Sequence, residues 1–510
     1  MIVDNYVFKT TPFDHQLEEW KYSRELKTRA IFWEQGTGKS KLVIDTVAWL
    51  YGNGLIDAFI VVAPNGVQRN WVTDELPTHL PDDIKYYAHI FETVKSKTKW
   101  HQKALERTRK FKGLSVLVIS YNAFVTEAGK RAVWEFLRDR KCMYTLDESH
   151  RIKSMETKRT EAIVKSSVYA DYKRILTGTP ISVGPFDMFA QICFLALDYW
   201  EKLGISTYLA FQHKFGVYQK WEVERKNKRT GKPYKKKLKM VVAYKNLGIL
   251  NKMLEPISSR VKKEDVLDIP PKLFTKRYCS LSKEQRALYD ELKEEFMVEF
   301  EDELVTAEMA IVRLLRLQQI TCGYLPADGG DPVMEIAGGN PKMDTLLDTL
   351  EDQPGKVIIW ARFTRDIEMI AEALGDQCAT YYGKNTDEER EEAKFRFQGQ
   401  RVLKDDNGQV VGREPVPEEE QVRYFVGNPA VGSEGLTLHA AKTVIYYNNS
   451  FKFIDRLQSE DRAHRIGQED NVEYIDIVAE DTVDEHIVKN LLKKYDIASQ
   501  ITGDELREWI

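Results

Sequence analysis

Seven residues constrain this chain more than any others: Glu34-Gln-Gly-Thr-Gly-Lys-Ser40. They follow the apolar run Ala30-Ile31-Phe32-Trp33, which reads as a buried strand. They precede Leu42-Val43-Ile44 and Val47-Ala48-Trp49-Leu50, whose apolar residues recur at helical spacing. In a strand, glycine loop and helix of this kind, backbone N–H groups at Gly36, Thr37 and Gly38 turn inward around phosphate oxygens. The helix N-terminus adds partial positive charge, Lys39 reaches the β/γ-phosphates, and the Ser40 hydroxyl can ligate Mg²⁺. The first glycine of the G-x-x-x-x-G-K-[ST] pattern is replaced by Trp33. Alone, the loop therefore also admits a plain glycine turn with a solvated lysine, and partners elsewhere must decide.

The chain is 510 residues long, 43% apolar and 30% charged, enough for two or three globular domains. No basic-then-apolar segment opens it, and no run approaches the ~18 to 20 apolar residues of a membrane span. A cytoplasmic protein is expected. The cysteines Cys142, Cys193, Cys279, Cys322 and Cys378 form no C-x-x-C pair and point to neither a disulfide framework nor zinc. A formal charge of -4 argues against a uniformly basic nucleic-acid binder, but a global sum hides local fields.

Short continuous apolar runs fit parallel strands covered on both faces. In the first half they are Phe59-Ile-Val-Val-Ala63, Ser115-Val-Leu-Val-Ile-Ser120, Met143-Tyr-Thr-Leu146 and Arg174-Ile-Leu-Thr177. In the second they are Lys356-Val-Ile-Ile-Trp360, Arg423-Tyr-Phe-Val426, Thr443-Val-Ile-Tyr-Tyr447 and Val472-Glu-Tyr-Ile-Asp-Ile-Val478. Two α/β domains are expected. Between them, residues 225–239 carry nine Lys/Arg and no acid, with Thr230-Gly231 as a turn. Residues 221–244 thus read as a basic hairpin, including Lys228, Arg229, Lys235, Lys236 and Lys237. Residues 263–272, with Ile269-Pro-Pro271, form a stiff connector, because consecutive prolines forbid helix. A helical, partly acidic insertion spans about 283–320, and residues 405–420 read as an exposed hairpin tip.

Leu146-Asp-Glu-Ser-His150 ends an apolar strand. After a phosphate loop, that is where Asp147 would hold Mg²⁺ and Glu148 would orient and deprotonate a water. Here the chain resembles the Swi/Snf (sucrose non-fermenting) branch of superfamily-two helicase-like ATPases: Asp147-Glu-Ser-His-Arg-Ile-Lys-Ser154 is similar to its motif II. His15-Gln16 resembles the Q motif, implying that Gln16 reads adenine. Val61-Val-Ala-Pro64 through Asn70, Trp71 and Glu75 resembles motif Ia, and Ser120-Tyr121 resembles motif Ib. Leu176-Thr-Gly-Thr-Pro180 resembles motif III, with Thr177 and Thr179 as coupling residues. Residues 263–272 resemble the inter-lobe linker and Val357-Ile-Ile-Trp360 motif IV. Gly432-Ser-Glu-Gly-Leu-Thr-Leu438 resembles motif V, with Gly435 facing nucleotide. Gln458-Ser-Glu-Asp-Arg-Ala-His-Arg-Ile-Gly-Gln468 matches motif VI almost letter for letter. The family usually lacks the first loop glycine too, so Trp33 ceases to be a fault.

Arg462 and Arg465 lie three apart on a helix and can point at one anion. The resemblance makes them arginine fingers from the second lobe, with Gln458 as a coupling residue. It implies two RecA-like lobes: residues 1–262 with the hairpin, the linker 263–272, and 273–510. It implies ATP and Mg²⁺ as cofactors and sequence-independent contacts to duplex or branched DNA from Arg69, Asn70, Tyr121, Lys153, Ser433, Thr437 and the hairpin lysines. Ser433 and Thr437 stand where the family usually has glycine and asparagine. Ile181-Ser-Val-Gly-Pro185 also departs from its motif III. The expected activity is ATP-dependent translocation on double-stranded DNA by a monomer, of viral or bacterial type, in branch migration, fork remodelling or protein displacement. A strand-separating helicase and a nucleotide-gated DNA scaffold are the alternatives.

Overall fold

The computed structural model describes residues 1–65, 67–226, 233–301, 307–326, 333–404, 410–432, 436, 438–465, 468 and 470–502. The first half builds a seven-stranded sheet. Its spatial order is Ser258–Val261, Thr28–Trp33, Tyr172–Leu176, Cys142–Asp147, Ala58–Ala63, Leu114–Ser120 and Tyr86–Phe91, and every pairing is parallel. The second half builds a six-stranded sheet in the order Lys272–Cys279, Val472–Ala479, Ala441–Tyr446, Lys356–Trp360, Tyr424–Gly427 and Cys378–Tyr381, again parallel throughout. Each sheet is covered on both faces by its own apolar clusters. These are the two RecA-like lobes expected from the alternation of apolar runs and helices.

Parallel strands carry their loops to one edge, and the register decides which side chains meet there. Asp147 pairs with Leu176, and Ile31 pairs with the same Leu176. The residues that follow these strands, Glu148, Thr177 and Glu34, therefore emerge side by side.

The basic segment is an antiparallel hairpin of Gly216–Lys226 and Pro233–Tyr244. Lys228 and Arg229 lie outside the described residues, as do the side chains of Lys235, Lys236 and Lys237. The acidic insertion forms two packed helices, Lys283–Glu301 and Ala307–Thr321. The expected hairpin near 405–420 pairs Gln400–Lys404 with Val410–Pro415, its tip lying outside the described residues.

The C-terminal helix Val483–Thr502 belongs to both halves. Ile487 and Leu491 pack against the helical insertion, while Ile501 enters the core of the first lobe. Among the described residues, no helix is long and apolar enough to cross a membrane.

Candidate active site

A cleft of about 550 Å³ opens where the two lobes meet, lined from one side by Gly36, Gly38, Lys39, Ser40, Asp147 and Glu148 and from the other by Gln458, Arg462 and Arg465. The loop is shaped by glycines at left-handed angles, Gly36 at φ +85 and Gly38 at φ +84. A Cβ on Gly38 would lie 1.9 Å from the Gln16 amide nitrogen, so a larger residue would have to displace Gln16 and bear a strained left-handed backbone. Trp33 is fully buried and donates to Ser259 Oγ at 2.8 Å, anchoring the strand that launches the loop. Lys39 Nζ donates to the carbonyls of Trp33 at 2.9 Å and Glu34 at 3.0 Å. Burial pushes its pKa down, while Glu148 and Asp147 favour the charged form.

Glu148 sits at φ +55, a conformation that costs a non-glycine residue about 1–3 kcal/mol and that clusters at functional sites. Its carboxylate is surrounded. Gln35 Nε2 donates to Oε1 at 3.4 Å, Thr177 Oγ1 donates to Oε2 at 3.3 Å, and His150 Nδ1 lies 3.3 Å from Oε2. Burial alone would raise its pKa, but His150, Lys39 and Arg462 outweigh it and hold the group ionised. Asp147 moves the opposite way, raised by burial and by the neighbouring Glu148 charge. The two carboxyls are thereby driven apart in acidity, the pattern by which one pair is divided between different roles.

Asp147 is held by two aromatic residues. Trp71 Nε1 donates to its Oδ2 at 2.9 Å, and the buried Tyr121 hydroxyl donates to its main-chain oxygen at 2.7 Å. Tyr121 is thus turned inward, away from the DNA-facing role expected for it, because its hydroxyl finds a buried carbonyl. Asn70, expected on DNA, is half-buried and lines the cleft. Arg69 and Lys153 are exposed, and Lys153 Nζ donates to Ser182 Oγ at 3.2 Å. Gln16, expected to read adenine, is buried with both amide ends committed. Its Oε1 accepts from Phe13 N at 2.9 Å and its Nε2 donates to Gly38 O at 3.0 Å, so here it braces the loop. Thr179 N donates to Thr177 Oγ1 at 3.1 Å. Ser433, Gly435 and Thr437 lie outside the described residues.

Three residues in the site had no role from sequence. Trp71 and Glu75 are the ends of one π-helical turn, which aims both at the carboxylate strand. Glu75 lines the cleft, and burial and the Asp147 charge push it up to about 7, opposed by the nearby Ser40 hydroxyl. Gln35, a variable position in the loop pattern, accepts from Arg462 Nη2 at 2.9 Å and so joins the lobes. The only advance signal was position: Trp71 and Glu75 belong to the stretch resembling motif Ia.

Arg462 and Arg465, expected on a helix, lie in the turn that follows it, the helix Phe453–Glu460 ending before them, and Arg462 is 2% exposed. Its Nε donates to Gln458 O at 2.8 Å and its Nη1 to Leu436 O at 2.9 Å, which fixes the guanidinium plane. Arg465 Nε donates to Asp461 O at 3.2 Å. Burial and the adjacent Arg465 charge make the Arg462 cation costly, a field that an anion in the cleft would relieve. The hydroxyl of Ser40 and the carboxylate of Asp147 are hard oxygen donors of the kind and number Mg²⁺ takes from protein beside phosphates and waters.

The SNF2-related domain family matches residues 14–323, more than half the chain. Chromodomain-helicase-DNA-binding protein 1-like of Mus musculus is 23% identical over 488 residues, covering 92% of this chain and 47% of that protein. SWI/SNF-related matrix-associated actin-dependent regulator of chromatin subfamily A member 1 of Homo sapiens is 25% identical over 477 residues, covering 89% and 40%. The chain therefore spans less than half the length of these relatives. The solved Sulfolobus solfataricus SWI2/SNF2 ATPase core in complex with dsDNA is 22% identical, covering 99% of this chain and 96% of that one, with a TM-score of 0.41. By its family match and its two parallel-sheet lobes, this chain belongs to the SNF2-related family of superfamily-two helicase-like ATPases.

Proposed function

We propose that this protein is a DNA-stimulated ATPase that translocates on double-stranded DNA without fully separating its strands. The observation that carries this reading is the split cleft: phosphate loop and carboxylate pair on one lobe, two arginines on the other, all facing one space. Hydrolysis needs both lobes, so it reports on their closure.

The residues divide the work. The loop backbone and Lys39 take the triphosphate, and Ser40 and Asp147 would hold Mg²⁺, which when bound supplies positive charge at the phosphate oxygens. Glu148, kept ionised by His150 and its neighbours, orients the attacking water and accepts its proton. Arg462 and Arg465 stabilise charge developing on the transferred phosphoryl group, a contribution of roughly 10³ to 10⁵ in rate. Thr177 bridges this chemistry to the loop that continues to Ser182, the partner of Lys153. A shift of the Glu148 carboxylate is thereby felt at an exposed basic residue on the lobe edge.

DNA would lie across both lobes, held through phosphates by Arg69, Lys153 and the motif V segment, giving sequence-independent and salt-sensitive binding. The hairpin supports the finer reading of forked or four-way substrates. Its return strand of 12 residues spans roughly 40 Å at 3.3 Å per residue, long enough to reach flanking duplex. ATPase rate measured against single-stranded, duplex, forked and four-way DNA and RNA tests both levels. Strongest stimulation by duplex-containing DNA supports translocation, and stimulation by RNA alone overturns it. A rate indifferent to branching removes the finer reading only.

A further inference from the structure

The connector between the sheets is more than a spacer. Lys263, on its first turn, is buried at 2% exposure and touches three parts of the machinery. Its backbone N–H donates to Glu34 Oε2 at 3.0 Å, at the start of the phosphate loop. Its side chain runs beneath that loop: a Cβ on Gly36 would lie 3.8 Å from Lys263 Cε. Its Nζ then crosses to the second lobe, donating to Asp461 Oδ1 at 2.7 Å and to His464 O at 3.0 Å. These two acceptors bracket Arg462 in sequence, and the Asp461 carbonyl also accepts from Arg465.

The far end of the connector repeats the attachment. Lys272 Nζ donates to Glu460 and Asp461, each at 3.2 Å, and His464 Nε2 donates to Pro270 O at 2.8 Å. The Pro270-Pro271 pair stiffens the chain between the anchors. The turn bearing both arginines is thus bolted to the connector at each end, and the connector is bolted to the phosphate loop through Glu34.

We infer that Lys263 is a positioning residue: it locks the Asp461–Arg465 turn to the phosphate loop, so that the arginines meet the nucleotide only while the connector is seated. This rests on the ATPase reading above and deepens it by naming what regulates arginine engagement. Lys263 touches no reacting atom. It acts through the turn it holds, so its loss lowers kcat while nucleotide affinity, set chiefly by the first lobe, stays.

The charge balance gives a second readout. Burial pushes Lys263 down to about 8, with Asp461 and Glu34 favouring its charged form and Lys272 disfavouring it. Glu460, Arg260 and His464 complete its charged and titratable surroundings. The ammonium is charged below that value and discharged above it, so the latch weakens as pH rises through about 8.

The test uses the full chain with saturating duplex DNA and Mg-ATP. Lys263→Met is expected to lower kcat about 100-fold while the dissociation constant of a fluorescent ATP analogue changes less than threefold. Asp461→Asn, nearly isosteric, removes the same ion pair together with that to Lys272 and, where its melting temperature shows it folded, should behave alike. The double variant should be no worse than either single one. Lys263→Arg, which stays charged, should move the alkaline fall in kcat upward by at least one pH unit. A wild-type kcat in folded Lys263→Met or Asp461→Asn, or an alkaline limb unmoved by Lys263→Arg, overturns the inference. Absence of ATP hydrolysis by the unmodified protein would instead remove the reading beneath it.

Discussion

Replacing Arg462 by lysine keeps a cation at the lobe boundary but removes the planar fork. In the structure that fork spans three acceptors at once, Gln458 O at 2.8 Å, Leu436 O at 2.9 Å and Gln35 Oε1 at 2.9 Å. A lysine ammonium is a single point on a flexible stem and cannot reproduce this geometry. Two costs follow, and they separate experimentally. Leaving buried carbonyls underused costs about 1–3 kcal/mol per group in stability, read as a lower melting temperature. Losing an aligned arginine finger costs roughly 10³- to 10⁵-fold in hydrolysis, about 4–7 kcal/mol at the transition state. Binding should change little, because the loop, Lys39 and Ser40 all lie on the first lobe. Single-turnover hydrolysis with excess enzyme and duplex DNA, beside titration of a fluorescent ATP analogue, reads the two terms. A folded Arg462→Lys protein with less than a tenfold loss in single-turnover rate, or with affinity falling as far as rate, would refute the shared-site reasoning.

Glu148→Gln keeps the shape of the carboxyl group but not its basicity. ATP should still bind while turnover drops at least 100-fold, and phosphate release unchanged from wild type would show that another group activates the water. Thr177→Val removes the hydroxyl that lies between Glu148 and His150. We expect a loss of about tenfold in DNA-stimulated rate with a smaller change in the basal rate, and equal loss in both would mean that Thr177 supports the site without coupling it. Burial pushes His89 down to about 4, so the unfolded chain binds a proton there that the folded one refuses, and this group makes stability rise with pH between about 4 and 6.5, against the opposite pull of Glu75 at about 7. Melting temperature of His89→Gln beside the unmodified protein from pH 7.5 to 4.5 isolates the effect: the variant should lose less stability on acidification, and parallel profiles would contradict it.

How far the fold could be read from sequence depended on where each strand lies in its sheet. Central strands such as Ala58–Ala63 and Leu114–Ser120 are buried along their whole length and appear as unbroken apolar runs. The outer strands were missed. Lys272–Cys279 mixes three cations with apolar residues, of which Leu273 and Tyr278 are exposed, so it shows no unbroken apolar run, and Tyr86–Phe91 carries a histidine among aromatics. Spelling singled out the residues that meet in the cleft from its two sides, since motifs II and VI combine residue types that chance rarely assembles. Side-chain direction was harder. Tyr121 and Asn70 follow strands whose loops emerge at the same edge as the phosphate loop, and only packing decides which way each turns. Trp71 and Glu75 depend on a π-turn for their aim, and no pattern of residue types announces one. Gln35 becomes a lobe-joining residue only once Arg462 is beside it.

The central claim is that ATP turnover at a site shared by two lobes drives movement along intact duplex. Displacement of a third strand from a triplex, measured beside unwinding of a matched duplex fork in the same buffer, tests it most directly. The account predicts ATP-dependent third-strand release, abolished by Glu148→Gln and by Arg462→Lys, with the underlying duplex left paired. Release of the duplex strands without triplex displacement would contradict it, as would triplex displacement that persists in Glu148→Gln.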